Sequence, residues 1–249
     1  MIDIIVPVYN EAKNIQRLLD EIASKIRSEK QVFVIYDSED DSTLPVLDSI
    51  ADQYTFEIKR IPNAYGKGAL QAIITGLRVA VHECVIVCMA DLSDSLETID
   101  GMVHKIEKEN FDLVCGSRYM KGGKQHGSPW LKGLMSKTAG LSLHWLTRIP
   151  THDISNSFKA YRKSMLDTFT FDSTGGFEIG EEICVKAWLN GYRITELPAQ
   201  WYGREEENSN FKLWQWLPHY LKWYFFCVWN TWTGKRKKIC PNAKVERER

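Results

Sequence analysis

The chain has 249 residues, 44% apolar and 26% charged, which is enough length for one full α/β core and an ordinary globular composition. Lys+Arg and Asp+Glu balance at 32 each, so the basic excess of a dedicated nucleic-acid binder is missing and a nucleic-acid partner is not expected. The six cysteines form no Cys-x-x-Cys pair, and Cys84, Cys88 and Cys115 sit in apolar runs, which favours buried thiols over a metal or disulfide framework.

Met1 leads straight into an apolar run over 2–8 with no basic n-region, so the N-terminal part is expected to stay in the cytoplasm. Residues 2–9 read as a buried strand. Over 11–27, Ile15, Leu18, Leu19, Ile22 and Ile26 fall on one helical face. Strands are predicted over 32–36, 56–59, 85–89 and 113–115, with helices over 42–54, 67–81 and 95–108, the last capped by Asp94 or Ser95. A Gly/Lys/Ser loop over 117–129 precedes a helix near 130–148, a return strand near 157–161, a helix near 178–190 and a strand over 193–197. Strands alternating with helices imply βαβ units and a mostly parallel sheet. Runs apolar at every position imply helices on both faces. Ligands of such sheets bind beyond the carboxyl ends of the strands. That rule selects Tyr9 to Glu11, Asp37, Asp91 to Asp94, and Ser117 with Arg118.

The residue types there suit a nucleotide carrying a diphosphate. The turn after the first strand opens a helix, whose first N–H groups are unpaired donors; Asn10 as a cap with Glu11 on the dipole is the plainer reading. Asp37 can accept from a base or a ribose hydroxyl, while Asp41 and Ser42 suffice to cap a turn. Gly66 and Gly68 permit close backbone approach, and Lys67 brings charge toward a pyrophosphate without forming a Walker A loop. Asp91 and Asp94, just past a buried strand, suit a hard cation bridging two phosphates, Mg²⁺ or Mn²⁺.

The order and separation of these four sites resemble the family 2 glycosyltransferases, and within them the polyprenyl-phosphate branch that includes dolichyl-phosphate mannose synthases. Residues 112–119 and 153–162 match later elements of that pattern, and the likeness runs over about 2–212. It implies a GT-A, Rossmann-like α/β fold and transfer with inversion of a mannose- or glucose-type sugar. The donor would be GDP-mannose or a UDP-sugar, and the acceptor a polyprenyl phosphate. Implied donor contacts are Pro7, Tyr9, Glu11, Asp37, Lys67, Asp91, Arg118, Arg204 and Ser209. Asp153, Ser155, Asn156 and Glu182 fall on the acceptor side; Asp91, Ser93 and Asp94 are the metal candidates; Asp91, Arg118, Glu182 and Arg204 carry catalysis. Arg118 and Arg204 suit phosphate because a guanidinium fork matches its oxygens. A phosphate acceptor needs no strong base; a sugar hydroxyl does, with Glu181, Glu182 and Asp153 available. The chain departs from the family pattern at Tyr36, Met89 and Asn210, and Ser93 stands where some relatives have a metal-binding glutamine. Transfer to a glycan hydroxyl, or a catalytically weak sugar-nucleotide-binding or scaffolding role, are the alternatives.

Five of nine tryptophans fall between Trp214 and Trp232. Gln215, Pro218, His219, Lys222 and Asn230 interrupt any span, a central Lys alone costing roughly 2.5–3.5 kcal/mol on insertion. With the basic cluster at 235–238 the segment reads as an amphipathic membrane-interface element, or else an aromatic helix packed on the protein itself. The expected organisation is a GT-A domain over 1–212, this segment over 213–238, and a charged tail over 239–249, with the enzyme peripheral at the cytoplasmic face of the membrane.

Overall fold

The computed structural model describes residues 1–127, 130–203 and 213–237, and in it the apolar runs become strands with no solvent face. β1 (Ile2–Pro7), β2 (Lys30–Tyr36), β4 (Cys84–Val87) and β5 (Leu113–Ser117) are buried almost residue for residue, as a parallel sheet covered on both sides requires. β3 (Glu57–Pro62) is half exposed because it is an edge. With β7 (Lys159–Arg162) and β8 (Ile194–Pro198) they form a seven-stranded sheet in the order β3-β2-β1-β4-β7-β5-β8. β7 runs antiparallel to both its neighbours, and the remaining pairs are parallel.

Successive strand residues face opposite layers. Ile2, Ile4 and Val6 pack with α1 (Ile15–Lys25), α2 (Thr43–Ile50) and α4 (Ile99–Glu107). Ile5, Phe33 and Val85 pack with α3 (Ala69–Val79), α5 (Trp130–Thr147), α7 (Ile179–Leu189) and α8 (Leu213–Trp232). Gly76 lets α3 lie directly on β1, since a methyl group there would come within 2.0 Å of the Ile5 Cγ2. The five described cysteines are buried and free.

Several boundaries move. α1 starts at Ile15, because Asn10 adopts a left-handed φ of 57° and the following turn is used up before the helix begins. α4 starts at Ile99 after a 3-10 turn over Leu96–Thr98, so neither Asp94 nor Ser95 caps it. The short strands β6 (Lys124–His126) and β9 (Gln200–Tyr202), paired in parallel, and the one-turn α6 (Lys163–Leu166) have no counterpart in the sequence pattern; three residues carry too little periodicity to read. α8 keeps 20 residues despite Pro218. Its inner Trp223 and Cys227 enter the core while Phe225 and Trp229 stay exposed. Among the described residues no helix is long and apolar enough to cross a membrane.

The end of the sheet remote from the ligand face is tied by Asp3. This wholly buried carboxylate accepts the N–H groups of Val81 (2.6 Å) and His82 (2.8 Å) and the Gln31 amide (2.6 Å), and it meets the His82 Nδ1 at 2.6 Å. Burial alone would raise its pKa; the bonds from His82, Gln31 and Val81 outweigh that and hold it below the ordinary value. A depressed folded pKa gives stability that is present above the unfolded pKa and is lost as pH falls through the folded one. Asp3→Ala, which leaves buried donors unpaired, should cost about 2–3 kcal/mol in urea unfolding at pH 7. The gap to wild type should narrow below about pH 4.

Candidate active site

The four sequence clusters converge at the carboxyl ends of β1, β2, β4 and β5, where the winding reverses between β1 and β4. The first two hold each other. The Asp41 carboxylate accepts the Asn10 N–H (3.0 Å) and caps its own turn at the Thr43 N–H (2.8 Å). The Thr43 hydroxyl accepts the Glu11 N–H (2.9 Å), and Asn10 Oδ1 accepts the Ser42 N–H (3.1 Å). Asn10 thus bridges two loops rather than capping a helix. Tyr9 is 71% exposed beside them, and Pro7 closes β1.

Asp37 spends both oxygens locally. It accepts the Asn63 amide (2.8 Å) and the Gly68 N–H (2.7 Å), fixing the glycine loop that carries the exposed Lys67 against the end of β2. Tyr36 donates to Glu39 at 2.7 Å.

Beyond β4 the chain turns at Leu92, whose φ is 59°, and the Ser93 N–H donates to Asp91 at 3.1 Å. Asp94 is turned inward. Among the described residues its Oδ2 is buried with no hydrogen-bond partner. Burial, and then the charge of Asp91, push its pKa up to about 7 against the pull of Arg118. The segment is gripped by β9: Tyr202 N–H donates to Ser93 O (2.8 Å) and Ser95 N–H to Gln200 O (3.1 Å). A divalent cation fits the orphaned oxygen and the repelling pair. Among the described residues no group of three or more His, Cys, Asp or Glu could hold a metal alone. A cation here would therefore complete its shell from Asp91, Asp94 and substrate phosphate, the usual Mg²⁺ arrangement.

Arg118 follows β5 and is committed to Asp153. Its Nε and Nη2 donate to the two carboxylate oxygens at 2.7 and 2.8 Å, and Nη2 also reaches the Ser136 and Ser155 hydroxyls at 3.2 Å. The fork assigned from sequence to a phosphate is thus occupied by Asp153, although the residue still lines a cavity of about 490 Å³. That cavity also has Lys124, Lys137, Trp130 and Leu134 in its wall. Ser136 lies on α5, which approaches closely because Gly140 leaves room for the His152 carbonyl; a methyl there would sit 2.2 Å from that oxygen.

The remaining acceptor-side residues divide. Asn156 donates to Gly116 O at 2.9 Å. Glu182 accepts the Asp172 and Ser173 N–H groups (2.6 and 2.8 Å) and the Lys186 ammonium, which fixes a loop and leaves its carboxylate spent. Its neighbour Glu181 is buried too. Burial pushes it up to about 8, with Lys159 opposing and Glu178 adding. The fully buried Lys159 ammonium, held by the Ile154 and Asn156 carbonyls, attracts both Glu181 and Asp94. Arg204, Ser209, Asn210, Lys212 and Lys238, with Cys240 and the tail, lie outside the described residues. Ser136 and the lysines of the cavity carried no sequence signal beyond a Gly/Lys loop, because the cavity is assembled from separate elements.

A model of glycosyl transferase family 2 matches residues 3–170. The chain belongs to that family. A dolichol-phosphate mannosyltransferase of Pyrococcus furiosus is 28% identical over 232 residues, 89% of this chain and 64% of its own length. A polyprenol monophosphomannose synthase of Mycolicibacterium smegmatis is 28% identical over 210 residues, 81% of this chain and 77% of its own. The chain therefore spans less than two thirds of the first of these relatives. A mannosyltransferase from Pyrobaculum calidifontis, solved with GDP-Man and Mn²⁺, superposes with a TM-score of 0.65 at 19% identity, over 96% of this chain and 66% of that one. Glucosyl-3-phosphoglycerate synthase from Mycobacterium tuberculosis, solved with Mn²⁺, UDP and glucosyl-3-phosphoglycerate, gives a TM-score of 0.63 at 12% identity, over 97% of this chain and 81% of that one. These likenesses establish the GT-A fold expected for family 2.

For this family 2 chain the buried pair has a measurable cost. A carboxyl whose folded pKa is raised favours folding at low pH and opposes it as pH rises toward the folded value. Asp94→Asn should therefore raise the stability at pH 8 by about 1–3 kcal/mol and change it little at pH 4 in urea unfolding. A loss of stability at pH 8 would mean that Asp94 is paired.

Proposed function

We propose that the protein is an inverting glycosyltransferase that moves a mannose- or glucose-type sugar from a nucleotide-sugar to a polyprenyl phosphate. The observation that carries the reading is the orphaned Asp94 oxygen beside Asp91 at the winding reversal of the sheet. Asp91 and Asp94, with Ser93 between them, would hold Mg²⁺ or Mn²⁺. When bound, the cation neutralises the departing nucleoside diphosphate. GDP-mannose is the favoured donor, in keeping with the names of the Pyrococcus, Mycolicibacterium and Pyrobaculum proteins, and a UDP-sugar is the other option.

The chain's own residues supply position. Tyr9, Glu11, Asp37 and Lys67 frame the nucleotide side of the crevice. Arg118, Asp153 and Ser155 form a rigid wall on the acceptor side, and the neighbouring cavity offers Lys124 and Lys137 to a phosphate and Trp130 and Leu134 to an isoprenoid. A phosphate monoester is anionic at pH 7 and needs no base. β9 precedes Arg204 and Ser209 in the chain, and its hydrogen bonds to Ser93 and Ser95 join that strand to the metal segment. Peripheral attachment at the cytoplasmic face through α8 would bring the lipid to this cavity.

One observation favours a second acceptor class. Glu181, pushed to about 8, is matched to remove a proton from a sugar hydroxyl near neutral pH. A panel of GDP-mannose, UDP-glucose and related donors, assayed with polyprenyl phosphate and with soluble glycans in Mn²⁺ or Mg²⁺, separates the two. Asp91→Ala should lower transfer by about 10²-fold or more with its melting temperature unchanged. Arg204→Ala should lower it strongly while donor-free stability stays at the wild-type value. Normal turnover by Asp91→Ala would remove the metal assignment.

A further inference from the structure

The Lys159 side chain is wholly buried on β7, and its ammonium bonds to backbone carbonyls rather than to a carboxylate. It donates to Ile154 O at 3.0 Å and to Asn156 O. It also sits against the first turn of α7, since a methyl group on Gly180 would lie 3.5 Å from its Nζ. The start of a helix carries partial positive charge, so a cation gains nothing from that neighbour. Taking an ammonium out of water is costly, and neutral dipoles offset the loss incompletely. An apolar side chain of similar length would fill the same space without that cost.

The two carbonyls indicate what the charge does. They bracket Ser155 in the chain, and the Ser155 hydroxyl meets Arg118 Nη2 at 3.2 Å and the Ser136 hydroxyl at 2.7 Å. Asp153, one residue before Ile154, accepts the Arg118 backbone N–H at 2.9 Å as well as the guanidinium. Asn156 ties the same loop to β5 through Gly116 O. The loop thus gives its polar side chains to Arg118 and β5, and two of its carbonyls to Lys159. Buried carbonyls need donors, and a single ammonium, with three hydrogens, meets both.

We propose that Lys159 is a positioning residue for the acceptor: by binding the Ile154 and Asn156 carbonyls it holds the loop in the curl that presents Asp153 and Ser155 to Arg118. This deepens, and rests on, the reading of the acceptor as a phosphate received beside Arg118. Lys159 is sealed from solvent and is not in the wall of the cavity that Arg118 lines, so it acts through the loop and not on substrate. Its direct bonds place its main effect on the acceptor side, with a smaller one on the nucleotide side.

The test compares the full chain with Lys159→Met, which removes the charge, Lys159→Gln, which keeps a neutral donor, and Lys159→Arg, which keeps the charge. Steady-state kinetics with farnesyl phosphate as the acceptor probe, and the sugar-nucleotide that the wild type uses, give the two KM values. NMR of the arginine side chains follows the Arg118 Nε–H, whose bond to Asp153 slows its exchange with water. Lys159→Met should raise the acceptor KM by about tenfold or more and change the donor KM by about threefold or less. Its Arg118 Nε–H should exchange faster, and Lys159→Arg should recover most of both effects. If the melting curve shows that Lys159→Met does not fold, Lys159→Gln carries the comparison. Equal rises in both KM values, with no recovery by Lys159→Arg, would overturn the proposal and leave Lys159 an ordinary core residue. An acceptor KM and an Arg118 signal at wild-type values would overturn it as well. A wild type that transfers nothing to farnesyl phosphate would defeat the acceptor reading by itself, and the Arg118 signal then decides the role of Lys159.

Discussion

Two carboxylates stand at the end of β4 where water scarcely reaches one of them. Burial raises the cost of ionising Asp94, and the charge of Asp91 adds to it, so that Asp94 holds its proton to about pH 7. A protein that kept this arrangement for stability alone would gain by an amide or an apolar group in its place. The arrangement makes sense as a waiting place for positive charge. The rest of the crevice is built around that requirement: β9 fixes Ser93 and Ser95 from the side, and Arg118 and Lys159 supply partial compensation from behind.

The cations near the pair are themselves held away from it. Arg118 is locked to Asp153, and Lys159 to two backbone carbonyls, so neither collapses onto Asp94. Such pre-set positions limit rearrangement when a diphosphate arrives, which is the physical content of electrostatic preorganisation. Glu196 extends the restraint one step. It accepts the His152 N–H at 2.8 Å and pairs with the His152 ring, steadying the residue before Asp153.

Much of this was legible because its signals were continuous. The strands were visible as unbroken apolar runs, and the face beyond their carboxyl ends followed from them, so the places of Asp37, Asp91 and Arg118 at strand ends could be read from the sequence. What was not legible depends on encounters between distant segments. Arg118 and Asp153 are 35 residues apart, and nothing in either local sequence shows that the guanidinium is already bound. Glu181 and Glu182 are adjacent and both buried, so composition could not separate the one tied to the 172–173 backbone from the one facing Lys159. Asp94 could be read as a metal candidate or, with Ser95, as a helix cap; a 3-10 turn intervenes before the helix and, among the described residues, the Asp94 Oδ2 has no partner. α5 showed its apolar content in sequence, but not which side would face out.

The most direct measurement is the titration of Asp94 itself, followed by carbonyl-selective NMR. In the ligand-free protein the carboxyl should titrate near 7, as burial beside Asp91 requires. With saturating Mg²⁺ and a nucleoside diphosphate, cation binding should lower that value by roughly two units or more. A carboxyl that titrates near 4 without ligands, or near 7 with and without Mg²⁺, would contradict the assignment of this pair as the cation site.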